Sequence, residues 1–288
     1  MAEVSILSGT RCELGEGPLY DPARDTLFWF DIVGRKRHAM NMADRMETSI
    51  DLPEMTSAMA VIDGDRDLLL TETGLSVLDT KSGGIVQHVS VEADNAATRS
   101  NDARVHPSGA FWFGTMGKRA EKEAGAIYRY FRGTVDKLYG NVTIPNAICF
   151  SPDGAKAYFA DTAAAKLMSV AVDPATGAPV SDPEVFIDHS GGKGGLDGAV
   201  IDADGNLWNA RWGASALDCY SPSGDRLLTI AVPARQPSCP AFVGDGLLAV
   251  TSAWEGMNHT EREADTHAGS TFLVSTPVRP KYESAVAL

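Results

Sequence analysis

Short apolar runs recur along the chain at nearly equal intervals. Six of them are rich in aliphatic and aromatic residues, and they begin at residues 27, 68, 111, 157, 207 and 247. The steps between these starts are 41, 43, 46, 50 and 40 residues. Repeats of this length are typical of β-propeller blades, each of which contains four strands. An irregular β-sandwich in which this spacing arises by chance is the alternative.

Turn sequences separate the strands within these repeats. Four tetrapeptides end in glycine, and they occupy residues 106–109, 151–154, 202–205 and 221–224. Because glycine supplies a positive φ in tight turns, each predicts a hairpin between antiparallel strands. Helical turns are expected only at residues 121–124 and 261–265. The pattern therefore predicts an all-β fold, a six-bladed β-propeller of four-stranded antiparallel blades, as a single domain over residues 1–288.

The charge and the cysteine content exclude several classes of function. The formal net charge is −13, which disfavours binding to nucleic acid and to anionic membranes. No apolar run approaches the length of a membrane span, and the start of the chain lacks the features of a signal peptide. The four cysteines form no CxxC pair and are expected to be buried free thiols: Cys12, Cys149, Cys219 and Cys239. We expect a cytoplasmic protein and leave its oligomeric state open.

Polar residues interrupt the strand that precedes the first hairpin, which we call the inner strand, in four of the six repeats. They lie 11 to 13 residues before the aromatic residue of the next strand: Glu16, Asn101, Asn146 and Asp197. The two remaining repeats have Ser57 and Ser238 near the same place. Because a propeller arranges equivalent positions around one axis, we expect the four oxygen-bearing side chains to converge at the mouth of the channel.

Two converging carboxylates require a compensating charge. Burial of Glu16 and Asp197 together is costly unless a cation neutralises them, and one divalent ion balances their formal charge. A set of oxygen ligands without histidine favours hard ions such as Ca²⁺, Mg²⁺ or Mn²⁺ over zinc. Taken alone, an Asn or Asp before glycine is usually a turn residue, as in Asp197-Gly198, and it is the shared register of the four positions that favours metal ligands.

The motifs around these positions resemble the gluconolactonase, regucalcin and senescence-marker protein family. The resemblance runs from Cys12 to the last repeat, and its strongest segments are residues 14–18, 99–102, 114–116, 146–154 and 197–208. It implies a six-bladed propeller that hydrolyses a sugar lactone, an aldonolactone such as gluconolactone, with one bound divalent cation. Ca²⁺ is the expected ion, with Zn²⁺, Mn²⁺, Mg²⁺ or Fe²⁺ as alternatives.

The resemblance also implies roles for individual residues. The family's metal ligands correspond to Glu16, Asn146 and Asp197. Asn101 corresponds to a residue beside the metal that contacts substrate, and Arg99 to a substrate-binding arginine. Two departures affect the backbone: Ala147 replaces a frequent glycine after the Asn ligand, and Leu196 replaces a frequent proline before the Asp ligand.

The chemistry of lactone opening suggests a separate role for each of these residues. A carboxylate must accept the proton of the attacking water, and we assign this catalytic role to Asp197, with Glu16 as a purely structural ligand. Asn101 is expected to donate to the developing oxyanion or to a sugar hydroxyl. The fixed charge of Arg99 suits the carboxylate product.

The sequence leaves undecided where two basic loop residues lie, and it leaves two alternative functions. Lys118 and Arg119 follow the third repeat's second strand, where they either border the pocket and favour an anionic lactone or remain solvated. His106, in a turn, is expected to be solvated. The rival functions are a metal-dependent phosphotriesterase or arylesterase, and a calcium-binding propeller without catalysis.

Overall fold

The chain is almost entirely β in a computed structural model that describes residues 2–288. Residues 2–53 contain β1 (Glu3–Ser8), β2 (Gly15–Asp21), β3 (Thr26–Asp31), β4 (Lys36–Asn41) and β5 (Glu47–Asp51). Residues 54–190 contain β6 (Thr56–Val61), β7 (Arg66–Thr71), β8 (Gly74–Asp79), β9 (Ile85–Ser90), β10 (Thr98–Val105), β11 (Phe111–Gly117), β12 (Gly125–Phe131), β13 (Thr134–Val142), β14 (Pro145–Phe150), β15 (Lys156–Asp161), a 3₁₀ turn (Thr162–Ala164), β16 (Lys166–Ala171) and β17 (Glu184–Asp188). Residues 191–282 contain β18 (Gly195–Ile201), β19 (Leu207–Trp212), β20 (Ala216–Tyr220), β21 (Arg226–Ala231), β22 (Pro237–Gly244), β23 (Leu247–Ser252), α1 (His259–Ala264) and β24 (Thr271–Ser275).

These strands form six four-stranded antiparallel sheets. Five sheets use consecutive strands: β2–β5, β6–β9, β10–β13, β14–β17 and β18–β21. The sixth has the order β1-β24-β23-β22, so the first strand of the chain completes the last sheet. Each sheet corresponds to one sequence repeat, and each of the six apolar runs lies in the second strand of its sheet. The predicted fold class, a six-bladed β-propeller, is confirmed.

The chain divides into two compact units, each with three sheets. The first unit comprises residues 2–53 and 191–282, and in it β22 contacts both β2 and β18. Its core includes the buried side chains of Trp208, Phe242 and Phe272 in one cluster and Trp29 in another. The aromatic residues of the sequence repeats are therefore core residues here. The single-domain organisation of the chain stays a prediction.

The second unit comprises residues 54–190 and 283–288, and in it β10 contacts both β6 and β14. Phe111, Phe113 and Tyr130 are buried in one of its clusters. The final segment packs into the same cluster through Val286, whose backbone N–H donates to the carbonyl of Val61 at 2.8 Å. The last residues of the chain thus help to cover this core.

Local predictions are confirmed at the turns and corrected elsewhere. The glycines that end the four tetrapeptides all have positive φ, between 69° and 90°. Residues 121–124 form turns and not the predicted helix, because Ala120 and Glu123 adopt left-handed backbone conformations, at φ 55° and 57°. The expectation of a helical turn near 261–265 is met by α1, which begins after a capping box at Asn258.

The solvated position predicted for His106 is wrong. Its side chain is fully buried, and Nε2 lies 2.8 Å from the carbonyl oxygen of Gly154. The ring also packs edge-on against Phe150. The turn that contains His106 is therefore covered by the neighbouring hairpin, which a single repeat of sequence does not reveal. The four cysteines are buried free thiols, as predicted.

No helix within residues 2–288 combines the length and the apolar character needed to span a bilayer.

Candidate functional site

In the second unit, three predicted site residues form one hydrogen-bonded series. Arg99 Nη1 donates to Asn101 Oδ1 at 2.8 Å, and Asn101 Nδ2 donates to Asn146 Oδ1 at 2.8 Å and to the carbonyl of Pro145 at 2.9 Å. The series ends where Asn146 Nδ2 donates to Thr162 Oγ1 at 2.9 Å. All three predicted residues are buried. Each amide therefore has one orientation in which both of its ends are bonded.

The backbone at Asn146 departs from regular strand geometry. The pairing of β14 with β15 shifts between Asn146 and Cys149, and Ala147 has a φ of 54°. Glycine adopts this left-handed conformation without strain, whereas alanine adopts it at some cost in energy. The alanine that stands here in place of the family's frequent glycine therefore affects the backbone strain at residue 147 and not the hydrogen bonds of Asn146.

In the first unit, the two predicted carboxylates lie at matching places on their strands. Glu16 is in β2 and Asp197 in β18, both are buried, and each stands at a shift in the pairing with the next strand. The amide of Asn209 donates to the carbonyls of Asp197 and Gly198, at 2.6 and 3.2 Å. Asn209 thus satisfies backbone groups that the irregular pairing leaves out of the ladder.

The two remaining inner-strand positions are occupied by small residues, and both are buried. Ser57 Oγ donates to Ser100 Oγ at 2.9 Å in the second unit. Ser238 Oγ lies 2.8 Å from Thr251 Oγ1 in the first unit. Both serines bond within their own unit, in positions equivalent to those of the predicted ligands.

A buried carboxylate adjoins the series in the second unit. Asp102 Oδ2 accepts a hydrogen bond from the backbone N–H of Ile148 at 2.7 Å. Burial raises the pKa of Asp102 to about 6, although the guanidinium of Arg104 opposes this effect. This residue links β10 to β14 immediately beside the amides of the series.

The basic loop residues take part in ion pairs. The side chain of Arg119 is 90% exposed and pairs with Glu121 at 3.1 Å, which supports the solvated interpretation for this residue. Lys118 Nζ lies 2.5 Å from a carboxylate oxygen of Glu72.

Sequence reasoning missed several polar residues that hold the predicted ones in place. Thr162 and Asn209 are not marked by the repeat, because each lies on or after a second strand and not on an inner strand. A signal was present for Asn209, which together with Arg211 interrupts the apolar residues of β19. Nothing in the sequence distinguished Thr162 from other loop threonines.

The donor types match a hard divalent cation. Within the described part of the chain, no cluster of three or more His, Cys, Asp or Glu side chains is arranged to hold a metal ion. The predicted set needs only two such residues, Glu16 and Asp197, and takes its third oxygen from Asn146. Carboxylate and amide oxygens are the ligands that Ca²⁺ and Mg²⁺ prefer.

Several known proteins are similar to this chain over nearly its whole length. A Rhizobium meliloti protein provisionally named a sugar lactone lactonase is 51% identical over 98% of this chain and 96% of its own length. The L-arabinolactonase of Azospirillum brasilense is 35% identical over 95% of this chain and 92% of its own length. A calcium-binding protein, regucalcin, from Agrobacterium tumefaciens has a crystal structure that matches with a TM-score of 0.97 at 44% identity, over 98% of this chain and 97% of that one. The model of the SMP-30/gluconolactonase/LRE-like family matches residues 14–254, and the chain therefore belongs to this family.

Proposed function

We propose that this protein is a metal-dependent lactonase that hydrolyses a sugar lactone, an aldonolactone, to the corresponding aldonic acid. Two relatives with lactonase names align over nearly the whole chain, which supports this reaction. The observation that carries the proposal is the hydrogen-bonded series from Arg99 through Asn101 to Asn146. It holds a guanidinium and two amides in fixed orientations on adjacent inner strands, as recognition of a polyhydroxylated ester requires.

Glu16, Asn146 and Asp197 are the proposed ligands of one divalent cation, with Ca²⁺ as the first choice. Their carboxylate and amide oxygens fit a hard ion, and the regucalcin neighbour is named a calcium-binding protein. When bound, such an ion polarises the lactone carbonyl and lowers the pKa of water. The nature of the ion is part of the proposal.

The residues of the chain supply the remaining steps. Asp197 accepts the proton of the attacking water, while Glu16 serves as a ligand only. Asn101 donates its amide N–H to the oxyanion or to a sugar hydroxyl in place of one of its two internal bonds, to Pro145 or to Asn146. Arg99 binds the substrate through its fixed charge and attracts the carboxylate that forms when the ring opens.

The reaction releases one acid equivalent, which gives a direct assay. We would follow acid release in a pH-stat with glucono-, xylono-, arabino- and galactono-lactone, with and without a chelator. We expect at least one lactone to be hydrolysed, activity to be lost with the chelator, and activity to return with Ca²⁺ or Mn²⁺. Turnover that persists in chelator would contradict metal dependence, and no turnover of any lactone by metal-loaded protein would contradict the lactonase assignment.

Asp197→Asn tests the proposed base. We expect kcat to fall by about 10²- to 10⁴-fold while the protein stays folded. Asp204→Asn is a matched control, because Asp204 is an exposed aspartate of the same unit that pairs with Arg279. Near-normal turnover by the Asp197 variant would remove it as the base.

A calcium-binding protein without catalysis is the second candidate, favoured by the name of the Agrobacterium neighbour. Calcium binding without hydrolysis of any lactone, aryl ester or phosphotriester would support it. We also propose a cytoplasmic location, which the four buried free thiols support.

A further inference from the structure

Six residues near the ends of the second strands occupy equivalent positions, and three of them are charged. Each of the six pairs with the inner-strand residue immediately before Glu16 or before the residue equivalent to Glu16 in its own sheet. They are Asp31 opposite Gly15, Thr71 opposite Thr56, Thr115 opposite Ser100, Asp161 opposite Pro145, Arg211 opposite Leu196 and Ser252 opposite Pro237. The three charged residues fall in the three sheets that contain the proposed metal ligands.

Asp31 holds the segment that leads to Glu16. Its Oδ2 accepts from the backbone N–H of Glu13 at 2.9 Å, and its Oδ1 accepts from that of Leu14 at 3.1 Å. The same Oδ1 accepts from the N–H of Gly34 at 2.9 Å, which ties the segment to the turn after β3. Asp31 is buried, so these bonds are shielded from water.

Asp161 makes the same pattern before Asn146, in the other unit. Its Oδ2 accepts from the N–H of Thr143 at 2.9 Å, and its Oδ1 accepts from that of Ile144 at 3.0 Å. It also accepts from the N–H of Ala163 at 3.1 Å, in the turn after β15. In both sheets the bonded donors are therefore the third and second residues before the proposed ligand.

Arg211 holds the segment before Asp197, but it does so as a hydrogen-bond donor to backbone carbonyls and not as an acceptor from backbone N–H groups. Its guanidinium donates to the carbonyls of Lys193 at 2.7 Å and Gly195 at 3.2 Å. The same group is held by the buried carboxylate of Asp218, at 2.9 Å. A glycine-rich segment that has little conformational preference of its own is thus held through the carbonyls of residues 193–195.

The uncharged residues at the other three positions bond elsewhere. The hydroxyl of Thr71 donates to the carbonyl of Gly74, that of Thr115 to the carboxylate of Glu92, and that of Ser252 to the carbonyl of Ser270. In the segment before β6, the N–H of Met55 donates to the carboxylate of Glu72 at 3.1 Å, and the carbonyl of Met55 accepts from the backbone N–H of Glu72 at 2.8 Å. Two-point anchoring by a charged side chain at this position thus accompanies the proposed ligands.

We infer that Asp31, Asp161 and Arg211 are positioning residues that set the places of Glu16, Asn146 and Asp197 for cation binding. This inference rests on the proposed function, because it assumes that these three residues bind the ion. The physical basis is the short distance along the chain, two to four residues, between each anchored backbone group and its ligand. A ligand carried by an irregular strand needs such support, since the strand pairing itself is interrupted at that point.

The test measures Ca²⁺ binding directly by isothermal titration calorimetry, on full-length protein stripped with a chelator. We expect Asp31→Asn and Asp161→Asn each to raise the Kd for Ca²⁺ by about 10- to 100-fold. Both carboxylate oxygens of each aspartate accept from backbone N–H groups. Asparagine replaces one of these oxygens by an NH₂ group, which cannot accept, so at least one backbone N–H loses its partner. Arg211→Lys is a milder variant that keeps a cation beside Asp218 but cannot serve both carbonyls, and we expect its Kd to rise as well.

Asp202→Asn is the matched control. Asp202 is also buried and accepts from two backbone N–H groups, of Asp204 and Asn206, but in the turn after β18. We expect Asp202→Asn to lower the melting temperature about as much as Asp31→Asn and Asp161→Asn do, while its Kd for Ca²⁺ stays that of the wild type. Thr71→Val, at the equivalent position of a sheet without a proposed ligand, should also leave the Kd unchanged.

The possible results separate the two hypotheses. If the Asp31, Asp161 and Arg211 variants bind Ca²⁺ as the wild type does while Glu16→Gln does not, the positioning role is overturned and the proposed metal site stands. If the wild type binds no divalent cation, or Glu16→Gln binds as tightly as the wild type, the metal site and the positioning role both fail.

Discussion

The amide nitrogen of Asn101 donates a hydrogen bond to the amide oxygen of Asn146 at 2.8 Å. Because Thr162 accepts from the amide nitrogen of Asn146, that amide cannot rotate by half a turn without losing both bonds. The orientation of the proposed ligand oxygen is thus fixed by neighbouring side chains of the chain itself. Preorganisation of this kind lowers the cost of binding.

Replacement of Asn101 by leucine should separate catalysis from metal binding. The variant keeps the approximate shape but cannot donate to substrate, so we expect kcat/KM to fall by about 10²-fold. Metal affinity should fall much less, because Asn146 keeps its bond to Thr162. Steady-state kinetics and calorimetry on the same preparation measure both quantities. Equal losses in kcat/KM and in metal affinity would argue that Asn101 acts only through Asn146.

The left-handed backbone at Ala147 predicts a specific order of stability. Ala147→Gly should stay within about 1 kcal/mol of the wild type in free energy of unfolding, because glycine adopts this conformation freely. Ala147→Val should lose about 2 kcal/mol or more, since a branched side chain is strongly disfavoured at positive φ. Chemical denaturation measures both variants. A valine variant as stable as the glycine variant would contradict the backbone assignment.

The pKa of Asp102 predicts how stability depends on pH. Its pKa is about 6 in the folded protein, above its ordinary value of 3.8, so the folded state binds the proton more tightly than the unfolded state. This stabilising contribution is fully present below the ordinary pKa and is lost as pH rises through 6. Relative to the wild type, Asp102→Asn should therefore gain about 2 kcal/mol in free energy of unfolding between pH 4.5 and 7.5.

Denaturation curves of both proteins at the two pH values measure this difference. Taking the difference removes the titration of all other groups. A constant gap between the proteins would show that the proton affinity of Asp102 is the same in the folded and unfolded states.

The final segment of the chain should contribute strongly to the stability of the second unit. Glu283 pairs with the buried Arg104 at 2.8 Å and accepts from the N–H of Val105 at 3.0 Å. Glu283→Ala leaves both donors without this partner, which should cost about 2–4 kcal/mol. Glu263→Ala, which removes a pair with His259 on the surface, should cost less than about 0.5 kcal/mol. Equal melting temperatures for the two variants would contradict this role of Glu283.

The repeat in the sequence was sufficient to predict the blades and the inner-strand positions of Glu16, Asn101, Asn146 and Asp197. Period and turn chemistry are local properties, and they are visible in one chain. Anchors such as Asp161 could not be predicted, because they depend on which residue lies opposite which across an irregular strand pair. The burial of His106 was missed for a related reason, since its partner Gly154 belongs to another repeat.

The pairing of β1 with β24 has a consequence for how the chain folds. Glu3 lies opposite Ser275, so this sheet joins residues from nearly opposite ends of the sequence. During synthesis, β1 leaves the ribosome long before β24, the strand with which it pairs, and it remains without this partner until Ser275 has emerged. Because contacts between distant parts of a chain form slowly, completion of this sheet is expected to be a late event in folding.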